Sequence, residues 1–192
     1  MTSLIGEPLM DRFRADRHGS VLIIVDVQTK LAAVMPRRGE VIGNCVRLVE
    51  GVKTLGVPVL VTEQYPNGLG PTVDELKAVL PEERAFEKLT FSCGRDQAFL
   101  DALTASGRRK VILAGMEAHI CILQTALDLM EEGYIVQVVK DATCSRTEAN
   151  EKVAMDMLRD AGAVVTSTET VLYQMLREAG TVEFKALSTL LR

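Results

Sequence analysis

The 192-residue chain has little of what metal sites, membranes and nucleic acids require. It contains only two histidines, His18 and His119, far apart in the sequence, so a dedicated zinc site is not expected. Its net charge of −4 argues against the basic patch that binds phosphate backbones. No apolar run approaches the length that crosses a bilayer. We therefore predict no metal, no cofactor, no nucleic-acid partner and no membrane partner.

Cysteine is also sparse, and its spacing is irregular. The four cysteines form no C-x-x-C pair and no repeated pattern; they are Cys45, Cys93, Cys121 and Cys144. The first residues lack the basic and then apolar layout of a secretory signal. We therefore predict reduced thiols and a cytoplasmic location, with Cys93 and Cys144 as structural residues. A chain of this length buries a substantial core without disulfides, so residues 1–192 are predicted to form one domain.

Apolar runs alternate with amphipathic segments along the whole chain, which is typical of an α/β protein. Strands are predicted at residues 21–27, 57–62, 85–87, 110–114, 134–139 and 163–167. Helices are predicted at residues 41–55, 71–80, 96–105, 119–132, 147–161, 169–177 and 183–191, with a loop rich in turn formers at 63–71. Short connections imply right-handed crossovers. The fold prediction is a three-layer α/β/α, Rossmann-like architecture around a six-stranded, mostly parallel sheet.

Residues 1–18 do not follow this alternation. They contain five large apolar side chains without clear periodicity: Leu4, Ile5, Leu9, Met10 and Phe13. This N-terminal arm could be a loosely packed tail, or it could lie on a neighbouring subunit. The sequence leaves both interpretations open.

Three chemically capable side chains each follow a predicted strand. Asp26 ends the first apolar run, Lys88 follows the third strand, and Cys121 lies near the start of the helix after the fourth. In a parallel sheet such positions meet at one edge. A helix N-terminus and a nearby ammonium both lower the pKa of a thiol. An isolated buried cysteine is usually a small apolar residue, so the joint placement supports the prediction of a site.

These segments resemble the isochorismatase-like cysteine hydrolases. The similar segments are residues 24–28 (IVDVQ), 87–92 (EKLTFS), 115–121 (GMEAHIC), 124–128 (QTALD) and 138–146 (VVKDATCSR). The loop at 62–72 is similar to the subgroup named for its isochorismatase domain. The resemblance covers about residues 19–168 and implies a homo-oligomer that acts on a small molecule.

The resemblance also implies roles for individual residues. Cys121 would attack a carbonyl carbon to give a thioester, Asp26 would act as general base and then acid, and Lys88 would hold Asp26 and stabilise the thiolate. The family places a cis peptide four residues before the cysteine, here between Met116 and Glu117. The backbone N–H groups of Glu117 and Cys121 would form the oxyanion hole.

Departures from relatives narrow the expected reaction. Nicotinamidases of the family bind a metal through an aspartate and histidines after the second strand, where this chain has Glu63, Gln64 and Tyr65. Isochorismatases that cleave a vinyl ether generally lack the cysteine. The expectation is therefore a metal-free, cysteine-dependent hydrolase of a small amide or other C–N-bonded compound. The alternative is a catalytically idle scaffold that acts through protein contacts.

Several other residues are candidates with open roles. Gln28, Tyr65 and Phe91 are predicted to contact substrate, although a turn cap, a surface loop and a core residue are the respective alternatives. His119 could tune the thiol or contact neighbouring side chains. Arg37 and Arg38 could clamp a substrate carboxylate or be solvated charges.

Overall fold

A computed structural model describes residues 10–80 and 85–192. Six parallel strands form one sheet in the order β3-β2-β1-β4-β5-β6. The strands are β1 Ser20–Val25, β2 Val59–Gln64, β3 Phe86–Lys88, β4 Lys110–Met116, β5 Ile135–Cys144 and β6 Val164–Thr166. Helices cover both faces, which confirms the predicted three-layer α/β/α architecture.

The helices of the described residues range from single turns to five turns. They are α1 Thr29–Ala32, α2 Arg38–Thr54, α3 Pro66–Leu69, α4 Asp74–Lys77, α5 Gln97–Ala105, α6 Leu123–Glu131, α7 Glu148–Ala161, α8 Thr168–Leu176 and α9 Val182–Leu190. One core lies between the sheet and α2, α8 and α9, and the other lies beneath α5, α6 and α7. Leu22 and Ile24 of β1 enter the first core, whereas Val21, Ile23 and Val25 enter the second. This explains the unbroken apolar run of the central strand.

Several predicted elements have different bounds in the structure. The fifth strand continues to Cys144 because β5 resumes its pairing with β4 after a register shift at Leu113/Gly115, beyond the polar residues that interrupt its apolar pattern. The helix predicted at 71–80 contracts to Asp74–Lys77, and the predicted loop at 63–71 contains α3. The helix that contains Cys121 opens with a π-helical turn, Ala118–Ile122, before α6.

The described part of the N-terminal arm packs against its own chain. The Lys110 Nζ atom lies 2.9 Å from a carboxylate oxygen of Asp11 and 2.9 Å from one of Asp16. The Gln137 side chain donates a hydrogen bond of 2.8 Å to the Arg12 carbonyl. These contacts argue against a loose tail for residues 10–18, whereas an intersubunit arm stays a prediction; Leu4, Ile5 and Leu9 lie outside the described residues. No described helix combines the length and apolar character that a membrane span needs.

All four cysteines are free and buried, and burial raises the pKa of each thiol. The pKa of Cys93 rises from 9.0 to about 11 and that of Cys144 to about 12. Below pH 9 a thiol is protonated in both states. Above it, the unfolded thiol loses its proton while the folded one retains it, so stability falls until the folded pKa is reached.

We therefore expect the free energy of unfolding to decrease between pH 9 and pH 11. The contribution of Cys93 is ~1.4 kcal/mol per pH unit within this window. Urea unfolding of wild type and Cys93→Ala at several pH values should give a shallower decline for the variant. Any loss of packing in Cys93→Ala lowers the free energy of unfolding equally at every pH, so it does not affect the difference between the two pH slopes. Parallel pH profiles would contradict the raised pKa.

Candidate active site

Asp26 occupies the carboxyl end of the central strand, completely buried. Its backbone has a left-handed φ of 55°, which turns the chain away from the sheet. One carboxylate oxygen accepts a 2.8 Å hydrogen bond from the Thr62 hydroxyl of β2, and the other lies 2.7 Å from the Lys88 Nζ atom. Because β3, β2 and β1 are neighbours, their parallel carboxyl ends bring these three side chains together.

Lys88 is only 3% exposed, and its buried ammonium is surrounded by hydrogen-bond acceptors. Besides Asp26, it donates to the Gln64 side-chain oxygen at 2.8 Å and to the carbonyls of Phe91 at 3.1 Å and Thr90 at 3.3 Å. Burial alone would lower the pKa of Lys88. The negative charge of Asp26 opposes that effect, and the pKa is raised overall. Lys88 is therefore a buried cation that compensates the Asp26 carboxylate.

Cys121 lies in the π-helical turn after β4, with 4% of its surface exposed. The pKa of Cys121 is raised, first by burial and then by the negative charge of the nearby Asp26; Lys88 acts in the opposite direction. The expectation of a lowered thiol pKa is therefore wrong, because desolvation outweighs the nearby cation. At rest the sulfur is a protonated thiol beside a carboxylate that can accept its proton.

The segment before Cys121 departs from the resemblance in one respect. No cis peptide occurs among the described residues, so the expected cis bond between Met116 and Glu117 is not observed. The chain instead turns at Glu117, whose φ of 59° is left-handed. Gly115 permits the approach to β1, since a Cβ there would lie 2.0 Å from the Val25 carbonyl oxygen. An oxyanion hole from the N–H groups of Glu117 and Cys121 stays a prediction.

The Cys121 side chain opens onto a cavity of about 390 Å³. Ten residues line it: Lys30, Leu31, Val34, Gln64, Leu69, Phe91, Glu117, Ile120, Cys121 and Arg146. Asp26 and Lys88 are buried and are not among the lining residues. Phe91, one of the predicted substrate contacts, is 53% exposed and forms part of the cavity wall. The cavity size suits a small molecule.

Two other predicted substrate contacts lie elsewhere. The Gln28 amide is buried and bonded to backbone: its nitrogen donates to the carbonyls of Gln64 (3.0 Å) and Gly70 (2.6 Å), and its oxygen accepts from the Gln64 N–H (2.8 Å). Gln28 thus stabilises the loop after β2, because both the nitrogen and the oxygen of its side-chain amide are hydrogen-bonded to backbone groups. Tyr65 is 52% exposed and is not among the lining residues.

The remaining candidates have partners of their own. His119 Nδ1 lies 3.0 Å from the Ser145 hydroxyl and 3.3 Å from a Glu117 carboxylate oxygen. Arg37 forms ion pairs with Glu40 at 2.9 Å and Glu151 at 2.7 Å. Neither Arg37 nor the exposed Arg38 lines the cavity.

Four residues of the site were not singled out from the sequence as substrate or positioning groups. Gln64 and Thr62 fix Lys88 and Asp26, and Lys30 and Arg146 contribute charge to the cavity. Thr62 and Gln64 could have been found from their position at the end of β2, since the ends of parallel strands meet at this edge of the sheet.

The Glu63 carboxylate does not line the cavity; it accepts a hydrogen bond of 2.6 Å from the Thr72 N–H. Within residues 10–80 and 85–192, no three His, Cys, Asp or Glu side chains converge as metal ligands do.

The isochorismatase domain model matches residues 20–170, the part of the chain that builds the sheet and this cavity. The chain belongs to the isochorismatase family. Its curated relatives include the secreted isochorismatase effector Isc1 of Phytophthora sojae, 39% identical over 91% of this chain and 85% of that protein. Isochorismatase domain-containing protein 2 of Xenopus laevis is 36% identical over 90% of this chain and 83% of its own length.

Solved structures of isochorismatase-family proteins share the fold. A Caenorhabditis elegans protein described as MAR1 ribonuclease superposes with a TM-score of 0.87 at 36% identity, covering 92% of this chain and 91% of that one. The YcaC protein of Escherichia coli, described as an octameric hydrolase of unknown specificity, has a TM-score of 0.86 at 25% identity, covering 96% and 92%. These comparisons confirm the resemblance read from the sequence and support a hydrolase.

Proposed function

We propose that the protein hydrolyses a small amide or another C–N-bonded compound through a thioester on Cys121. The observation that supports this most directly is the buried Lys88–Asp26 ion pair, whose charges act on the Cys121 thiol at the wall of an open cavity. A buried ion pair is costly unless its geometry is good and its remaining groups are bonded. Here Thr62 and Gln64 supply those bonds.

The arrangement suits a proton transfer that accompanies nucleophilic attack. As the Cys121 sulfur bonds to the carbonyl carbon, its proton passes to the Asp26 carboxylate. Asp26 then gives that proton to the leaving nitrogen as the C–N bond breaks, which yields an amine and a thioester. Water attacks the thioester with Asp26 again as base, and the acid and the thiol are released. Lys88 stays protonated throughout and balances the charge that moves between sulfur and carboxylate.

Two other functions receive less support. The neighbour from C. elegans is described as a ribonuclease, but this chain has a net charge of −4, and RNA binding relies on basic surface. A catalytically idle scaffold would not require a buried, fully bonded ion pair against a thiol that faces a cavity. We also propose a homo-oligomer, as in the octameric E. coli neighbour. A cytoplasmic location stays a prediction, and the P. sojae relative is described as secreted.

The hydrolase is tested with a panel of primary amides, ureas and carbamoyl compounds. We expect at least one to release ammonia or amine, and intact-mass spectrometry after rapid acid quenching to show one added acyl group. Peptide mapping should place that group on Cys121, with Cys93 unmodified as the internal comparison. Ammonia release without an acyl adduct that depends on Cys121 would contradict the thioester route. Absence of both turnover and adduct across the panel would favour the scaffold.

A further inference from the structure

The cavity has a charge that the proposed reaction does not use. Three of its lining residues outside the reacting cluster are charged: Lys30, Glu117 and Arg146. Glu117 offsets one cation, and Lys88 balances Asp26, so one positive charge remains at the cavity. This excess occurs in a chain whose net charge is −4. A cationic wall in an acidic protein attracts and retains an anion.

Lys30 supplies the uncompensated charge. It lies on α1, immediately beyond the loop that follows Asp26, and forms no ion pair with another described residue. The backbone that presents it is fixed, because the Thr29 N–H donates to the Pro71 carbonyl at 2.9 Å. The exposed Lys30 side chain therefore starts from a fixed point at the cavity wall, and its compact ammonium charge can reach a ligand anion there.

Arg146 supplies a second cationic group, from the loop after β5. Its Nε atom is 2.5 Å from one Glu117 carboxylate oxygen, which orients the guanidinium. The two terminal nitrogens of Arg146 have no hydrogen bond to another described residue. A guanidinium held at one edge keeps its other donors for a carboxylate. Glu117, itself 4% exposed, thus acts as the anchor for Arg146.

The rest of the wall is mainly apolar; the Gln64 amide also lines it, but it is bonded to Lys88 and to the Leu89 carbonyl. Leu31, Val34, Leu69, Phe91 and Ile120 lie around the cavity with the thiol. Such a surface suits the hydrocarbon part of a ligand and gives it no hydrogen bonds. A ligand that matches all three features has an amide for Cys121, an apolar middle and an anionic group for the two cations.

We infer that the substrates are monoamides of dicarboxylic acids, with the free carboxylate bound by Lys30 and Arg146. This rests on the proposed function, since it names the substrate class of the same site. The reaction is addition of water across the amide: the C–N bond breaks, ammonia leaves, and a dicarboxylate remains. Lys30 and Arg146 are specificity-determining residues in this assignment and take no part in proton transfer.

The test measures binding separately from hydrolysis. Cys121→Ser protein is titrated calorimetrically with the monoamides of succinic, glutaric, adipic and pimelic acids, each beside the neutral diamide of the same length. We expect the best monoamide to bind at least about 10-fold more tightly than its diamide, which corresponds to ~1.4 kcal/mol. Adding Lys30→Gln should remove most of that preference. Lys185→Gln, which deletes an equal charge from the exposed face of α9, should retain it.

The outcomes separate the two proposals. Equal affinity for monoamide and diamide, no binding of either, or a preference that survives Lys30→Gln would overturn the anion site. Wild-type protein is assayed for ammonia with the same compounds. Tight binding of monoamides without turnover would count against the hydrolase and keep the anion site. Turnover of diamides and monoamides at equal kcat/KM would count against the anion site and keep the hydrolase.

Discussion

Cys121→Ser is expected to lower kcat/KM by at least about 10³-fold on any substrate that the wild type turns over. A serine hydroxyl is far less acidic than a thiol, so Asp26 cannot take its proton as readily during attack. The fold should survive, because serine has nearly the same shape and its hydroxyl can replace the thiol near Asp26. Initial rates of ammonia release, together with thermal unfolding of both proteins, measure the two effects.

Cys93→Ser is the matched control for this substitution. Cys93 is as deeply buried as Cys121, and its thiol lies 3.7 Å from the Thr62 hydroxyl that supports Asp26. It does not line the cavity. We expect Cys93→Ser to keep kcat/KM within a few fold of wild type. Equal losses in the two variants would indicate that any disturbance of this core impairs activity, and retained activity in Cys121→Ser would contradict a nucleophilic thiol.

The position of the site could be predicted from the sequence because it follows from sheet topology. Asp26, Lys88 and Cys121 each come after an apolar run, and parallel strands gather such residues at one edge. Continuous apolar runs indicated burial on both faces, and the two cores confirm it. These features depend on chain direction and on the average environment of each strand, which sequence patterns report well.

Other features depend on details that patterns do not report. Gln28 comes directly after the first strand, yet its amide bonds to the backbone at Gln64 and Gly70, and no spacing rule distinguishes that from a cavity position. The pKa of Cys121 depends on the balance between burial and nearby charges, and the sequence shows the charges more clearly than the burial. Arg146 reaches the cavity from the end of β5, whose length was hidden by a register shift.

Lys88→Met is expected to lower the free energy of unfolding by about 3–5 kcal/mol and to abolish turnover. The substitution leaves the Asp26 carboxylate buried without its cation, and the side-chain oxygen of Gln64 loses a hydrogen-bond donor. Catalysis fails as well, since no positive charge then balances a thiolate beside a carboxylate. Urea unfolding and kcat/KM give the two quantities for the same preparation.

The double variant Asp26→Asn/Lys88→Met separates these two effects. Removing both charges eliminates the uncompensated carboxylate, and a buried pair replaced by neutral groups costs little. We therefore expect the double variant to recover at least half of the stability that Lys88→Met loses, while its kcat/KM stays at background because no base remains for the Cys121 proton. Additive stability losses would mean that Asp26 and Lys88 do not depend on each other. Recovered turnover would show that the reaction proceeds without them.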